Sequence, residues 1–226
     1  MRPQEPTLRR GLDDLALGLD DLQIVHLLDY LELIQKWTKV YNLTAVRDPA
    51  EMVTHHLLDS LSVITPLRRQ LEGVRAVSTG AFEASATAGL RLLDVGSGAG
   101  LPGIVIAICC PELLVDCVDT VAKKAAFIRQ VAATLKLPNL RGLHARVENL
   151  TEKYDVISSR AFASLADFTH WSQAALAEQG AWLAMKGRHP AEELAALPLG
   201  IAVFHVEPLL VPGLDAERCI VWMRKG

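Results

Sequence analysis

The sequence predicts an α/β fold: a mostly parallel, seven-stranded sheet covered by helices on both faces, preceded by an N-terminal helical extension. Three observations predict it. After Leu90, apolar stretches of strand length alternate with stretches of helical period. Before Leu90 the only strong periodicity is helical. At the changeover, "LLDVGSGAGLPGIVIAI" (Leu92–Ile108) runs an apolar strand into four glycines within eight residues and then into a second apolar run. That is the strand–loop–helix order of a Rossmann-like nucleotide site.

In the extension, Ile24, Leu27, Leu28, Leu31, Ile34 and Trp37 recur at spacings of three and four and form one apolar helical stripe. A second helix opens at Asp48 as N-cap, with Pro49 first and Glu51 three residues after the cap. It is expected to run through "HHLLDSLSVI" and stop near Pro66. Residues 73–89 turn to Ala, Ser, Thr and Gly and read as a flexible linker or insertion. They divide an extension over 1–72 from a core over 90–226, within one compact unit. Strands are expected at Arg91–Val95, Leu113–Val118, Leu140–Ala145, Tyr154–Ser158, Ala181–Lys186, Ile201–Val206 and Arg218–Met223. Helices are expected at Leu101–Cys110, Ala122–Leu135, Leu165–Ala177 and Ala191–Ala196. Only "EPLLVPGLDAE" separates the last two strands, so these should pair antiparallel. An open sheet binds its ligand beyond the carboxyl ends of its strands. Asp94 to Gly103, Asp119, the Arg146 region and Ser158 to Phe162 should therefore gather along one edge.

Composition bounds the partners. The chain has 226 residues, half of them hydrophobic and 22% charged, with a formal charge of −3. An RNA partner would need the basic residues concentrated on one face. Lys36, Lys39, Arg47, Lys123, Lys124, Arg129, Arg160, Lys186, Arg188 and Arg218 could supply it. The apolar run Ile104–Cys110 is far too short for a membrane span, and "MRPQEPTLRRG" lacks a signal core, so a cytoplasmic protein with no membrane partner is expected. Cys109, Cys110, Cys117 and Cys219 form no CxxC pair and read as buried free thiols, with no metal.

Three ligands commonly need such a glycine loop. A nucleoside triphosphate fails, because Ile104 and Val105 stand where Lys and Ser/Thr must follow Gly103. A dinucleotide fits the GxGxxG of Gly98, Gly100 and Gly103, with Asp119 further on. Against it, Asp94 ends the strand, where a carboxylate repels a pyrophosphate and attracts the amino group of S-adenosylmethionine. Gly96, Ser97, Gly98 and Gly100 would then let the backbone approach the nucleoside, and Asp119 would take the ribose hydroxyls. A strand–helix turn with no ligand needs fewer glycines. As for a methyl acceptor, "ISSRAF" replaces the [ND]-P-P-[YF] of exocyclic-amine methylation, and no cysteine is placed for attack on a pyrimidine carbon. Guanine N7 needs only alignment, because its in-plane lone pair is already nucleophilic.

"WTKVYNLTAVRDPAEMVTHHLLDSL", "DVGSGAGLPG", "ARVENL", "SSRAFASL", "LAMKG" and "ERCIVWMRK" together resemble, in this order, the bacterial 16S rRNA guanine-N7 methyltransferase family (RsmG, glucose-inhibited division protein B) over roughly Gln23 to Lys225. The resemblance implies a class I S-adenosylmethionine-dependent methyltransferase that methylates N7 of guanine 527 in the helix-18 loop of 16S rRNA. It further implies cofactor positions at Gly96, Leu101, Val147, Glu148 and Arg160, and family motif positions at Asn42, Arg47, His56, Lys186 and Arg218. For these last five, RNA contact competes with helix capping and ordinary salt bridges. Arg160 and Lys186 are the candidates for positioning the guanine, Lys123 and Lys124 for holding RNA. Phe162 could stack on the base, while core packing is the favoured reading of Trp171. Thr38 and His55 depart from the family's "WNK" and "RH". The partner is then 16S rRNA or the small ribosomal subunit, met by a monomer. A small-molecule methyltransferase, a dinucleotide oxidoreductase and a non-catalytic RNA-binding module are the competing readings.

Overall fold

The computed structural model describes residues 2–79 and 89–226, with side chains at 74–79 outside the description. Most of the 73–89 segment therefore lies outside the described residues. The chain opens with α1 (Glu5–Asp14) and α2 (Asp21–Tyr41). Asp20 caps α2 in a reciprocal capping box with Gln23, which satisfies two donors that the first helical turn leaves free. Asp48 caps α3 (Pro49–Met52), and the helix continues as a π-helical segment (Val53–Leu58) and α4 (Asp59–Leu61). α5 (Ile64–Thr79) follows. The helix expected to stop near Pro66 instead starts again there. Pro66 lies in the first turn of α5, where its missing N–H has no helical partner to lose.

Then come β1 (Arg91–Val95), α6 (Gly103–Cys109), β2 (Leu114–Asp119), α7 (Ala122–Thr134), β3 (Leu140–His144), a 3₁₀ turn (Val147–Asn149) and β4 (Tyr154–Arg160). The chain closes with α8 (Leu165–Ser172), β5 (Leu176–Lys186), α9 (Ala191–Ala195), β6 (Ile201–Pro208) and β7 (Cys219–Lys225). One sheet runs in the order β3-β2-β1-β4-β5-β7-β6. Strands β1 to β5 pair in parallel, and β7 runs antiparallel to both β5 and β6. The expected antiparallel pair is thus present, with β7 inserted between β5 and β6.

The two sheet faces follow the period of two along each strand. Leu92, Val115, Cys117, Val156 and Leu183 turn to one core, which α1, α2, α6 and α7 share. Leu93, Val118, Ile157 and Trp182 turn to the other, under α8. The helical extension packs into the first core rather than standing apart: Leu8, Leu27, Leu31 and Ile34 are fully buried or nearly so. The order 3-2-1-4 places the switch in strand direction of travel between β1 and β4, where open α/β sheets hold their ligands.

Candidate active site

At that switch point the carboxyl ends of β1, β2 and β3 border a cleft of about 290 Å³, lined by Gly96, Asp119, Lys124, Val147, Glu148 and Phe162 among others. Gly96 sits at φ +65°, a conformation that costs an L-residue about 1–2 kcal/mol. A Cβ on Gly96 would also come within 2.2 Å of the Phe162 ring, which lies against this backbone. Gly98 holds φ +59° and donates its N–H to Asp119 Oδ2 at 3.0 Å. The other oxygen, Oδ1, accepts the Val121 N–H at 2.8 Å, and Lys124 Nζ stands 3.5 Å from Oδ2. Two carboxylate oxygens offer about four lone-pair sites, so Asp119 keeps acceptor capacity toward the cleft. Ser97 Oγ is buried, with no hydrogen-bond partner among the described residues.

Asp94 has another place. It is fully buried on the α6 side of β1; its Oδ2 accepts the Gly103 N–H at 3.0 Å and its Oδ1 the Ser158 hydroxyl at 2.9 Å. It is not among the residues lining the cleft, and its observed bonds brace the loop from beneath. The reason is strand alternation: Leu92 and Asp94 share the face that α6 covers. A Cβ on Gly103 would meet Cys117 Sγ at 2.4 Å, so this fourth glycine serves the close seating of α6 on the sheet. Burial pushes the Asp94 carboxyl up to about 7. Leu101 likewise turns its side chain into the core instead of the cleft.

A second cleft, of about 450 Å³, adjoins the first at Ala161 and is lined by Val46, His55, His56, Asp59, Arg160, Lys186 and Arg218 among others. Strand register explains the convergence. Arg160 pairs with Met185, Lys186 pairs with Cys219, and Arg218 immediately precedes Cys219. Three cations from β4, β5 and the start of β7 thus reach one sheet end. The extension supplies the opposite wall. Arg160 Nη1 donates to Asp59 Oδ2 at 2.7 Å and to the His55 carbonyl at 3.0 Å, and Arg218 Nε donates to Asp59 Oδ1 at 2.8 Å. Lys186 Nζ donates to Glu193 at 2.7 Å and to the Ala163 carbonyl at 3.1 Å. His56 is buried, its Nε2 2.9 Å from Thr44 Oγ1, and desolvation lowers it to about 4, so it is neutral near pH 7. Ala161, at the junction of the two clefts, holds φ +54°. Such strain persists where surrounding contacts enforce it, and it collects at functional sites.

The structure therefore brings Gly96, Asp119, Lys124, Val147, Glu148 and Phe162 to one cleft, and His56, Arg160, Lys186 and Arg218 to its neighbour. Arg160 was expected at the cofactor or at the guanine; its guanidinium turns into the second cleft, where it meets Asp59. Asn42 and Arg47 line neither cleft. Asn42 ends α2 at φ +51° and accepts from Arg47 at 2.7 Å, which is a capping role. Lys123 is exposed at the start of α7, and Gly100 and Ser97 are buried in the loop. Trp171, expected in the core, is 37% exposed and meets Phe162 edge-on with centroids 5.8 Å apart. Sequence reasoning missed Asp59 and Glu193. Asp59 carried a signal, a single acid inside the apolar run "LLDSLSVI". Among the described residues, no helix is long and apolar enough to cross a membrane, and no group of three or more His, Cys, Asp or Glu could hold a metal.

A family model described as rRNA small subunit methyltransferase G matches residues 23–221. A ribosomal RNA small subunit methyltransferase G from Albidiferax ferrireducens is 73% identical over 226 residues, covering 100% of this chain and 99% of its own. Its namesake from a Polaromonas species is 68% identical, covering 99% and 95%. Among solved structures, TrmN from Thermus thermophilus is similar with a TM-score of 0.52 at 24% identity, over 63% of this chain and 46% of its own. The B. subtilis M1A22 tRNA methyltransferase TrmK gives 0.50 at 11% identity, over 62% of each chain. These two likenesses bear on the fold alone.

Proposed function

This chain belongs to the rRNA small subunit methyltransferase G family, and we propose that it transfers the methyl group of S-adenosylmethionine to N7 of guanine 527 in 16S rRNA. The observation that carries the reading is the pair of adjoining clefts at the switch point, one glycine-floored and acid-edged, the other lined by Arg160, Lys186 and Arg218. The proposed partner is 16S rRNA or the small subunit, and the proposed setting is a monomer in the cytoplasm.

The first cleft fits the cofactor. Its floor is backbone at Gly96, where a Cβ would strike Phe162, and Asp119 retains lone pairs at the end of β2 for ribose hydroxyls. Val147 and Glu148 follow β3 and would meet the adenine. Bound S-adenosylmethionine supplies an electrophilic methyl group on a sulfonium. The residues of the second cleft orient the acceptor and keep water out. Guanine N7 carries no proton, so no general base is needed, and His56, neutral near pH 7, adds no further positive charge beside the purine. Methylation makes the purine cationic. The three cations of the second cleft are partly offset by two carboxylates, Asp59 between Arg160 and Arg218 and Glu193 on Lys186, so the developing charge meets a field much weaker than three bare cations would set up.

The cofactor assignment is tested by thermal unfolding with each candidate ligand. S-adenosylmethionine should raise Tm, by up to about 2.7 kcal/mol of stabilisation at a hundredfold excess over Kd, and NAD should leave it unchanged. Stabilisation by NAD alone would return the loop to the dinucleotide reading. Label from S-adenosylmethionine should enter 16S rRNA; label confined to small molecules would overturn the RNA reading.

A further inference from the structure

The geometry points to Asp59 as a positioning residue that locks Arg160 and Arg218 into a clamp for an RNA phosphate at the entrance of the acceptor cleft. The inference rests on the second cleft being the acceptor side of the proposed reaction. Asp59 comes from the helical extension, and the two arginines come from the ends of β4 and the start of β7. Its carboxylate is 5% exposed and gives one oxygen to each guanidinium, at 2.7 and 2.8 Å. Without it two neighbouring cations at one sheet end would repel each other and separate. With it they are held side by side with one net positive charge left over.

That leftover charge has donors to deliver it. Asp59 and the His55 carbonyl engage Nη1 of Arg160, while Nε and Nη2 have no partner among the described residues. Asp59 engages Nε of Arg218 and the Glu217 carbonyl engages its Nη1, leaving Nη2 without a partner among the described residues. Their side chains are 21% and 25% exposed, so the open donors reach the cleft while the stems are fixed. Two guanidiniums that together with Asp59 carry a net charge of +1 and keep unfilled N–H groups match one phosphodiester anion, for which the fork geometry of arginine is suited. Lys186, by contrast, has already met Glu193 and the Ala163 carbonyl. The phosphate next to the methylated nucleotide is thus gripped by the Asp59 clamp, and the extension takes part in substrate binding rather than merely covering the sheet.

The test compares wild type, Asp59→Asn and Asp59→Glu. An RNA hairpin with the sequence of the 16S helix-18 loop is titrated by fluorescence anisotropy, S-adenosylmethionine binding is followed by calorimetry, and methylation kinetics are run on the same RNA. Asp59→Asn should weaken RNA binding and raise KM for RNA roughly tenfold, the value of one charge-assisted contact. Its S-adenosylmethionine Kd should stay within about twofold, and Asp59→Glu should restore much of the RNA affinity. The salt dependence of RNA binding should become shallower in Asp59→Asn, by about one phosphate contact. Two results would overturn the clamp: loss of S-adenosylmethionine affinity with RNA binding intact, or a lower Tm with kcat reduced and both affinities unchanged. If RNA binding depends on Asp59 but no guanine is methylated at N7, the clamp stands and the proposed reaction falls.

Discussion

Asp94 and His56 are buried ionisable groups displaced in opposite directions, and their effects on stability nearly cancel. Folding raises Asp94 from 3.8 to about 7, so between those values the folded protein holds a proton that the unfolded chain releases, and stability falls as pH rises. Folding lowers His56 from 6.5 to about 4, so there the unfolded chain holds the extra proton, and stability rises with pH. Each slope is at most about 1.4 kcal/mol per pH unit. Urea unfolding between pH 4 and 6.5 should therefore show Asp94→Asn losing stability on acidification, and His56→Gln losing it as pH rises. Identical pH profiles for the two variants would refute both assignments. At Gly96, alanine should cost about 1–2 kcal/mol for its left-handed backbone and displace Phe162, weakening S-adenosylmethionine binding about tenfold; unchanged affinity by calorimetry would mean that this backbone does not meet the cofactor. The glycine spacing made Gly96 and Asp119 legible in the sequence. The burial of Asp94 was not legible, because a strand-end position does not say which face alternation assigns, and that face lies under α6. Asp59 escaped because its two partners lie 101 and 159 residues away.

Helix boundaries were legible where chemistry marks them locally. Asp48 and Pro49 start α3 as expected, and β1 to β7 fall within a few residues of their predicted places, apart from β5, which begins five residues earlier at Leu176. Pro66 was read as a stop because proline breaks a helix interior, yet it sits in a first turn, where it is tolerated. The π-helical stretch Val53–Leu58, which carries His55 and His56 into the second cleft, has no sequence signature comparable to a cap. α1 went unpredicted because its ten residues bury only Leu8, Gly11 and Leu12. The Asp20 capping box predicts that Asp20→Ala lowers stability by about 1 kcal/mol, with catalysis untouched. Chemical denaturation checks this, and an equal drop in RNA methylation would show that α2 does more than pack.

The extension and the sheet share a core, and one buried contact joins the extension to the glycine loop: the Tyr30 hydroxyl donates to the Ala99 carbonyl at 2.7 Å. Tyr30→Phe leaves that carbonyl unsatisfied, so stability should drop by about 1–2 kcal/mol, and S-adenosylmethionine should restore less Tm than in wild type. A full ligand-induced rise would uncouple the extension from the loop. With a formal charge of −3, attraction to RNA must come from the cations gathered at one sheet end, so RNA affinity should fall steeply with salt. The proposed reaction turns on which atom receives the methyl group. The most direct measurement is to incubate small subunits or 16S rRNA lacking the modification with the protein and S-adenosylmethionine, then map borohydride- and aniline-dependent cleavage, which occurs at 7-methylguanosine. One new cleavage is expected, at guanine 527, and it should require both protein and cofactor. Methyl incorporation into 16S rRNA without cleavage there, or with cleavage elsewhere, would contradict it.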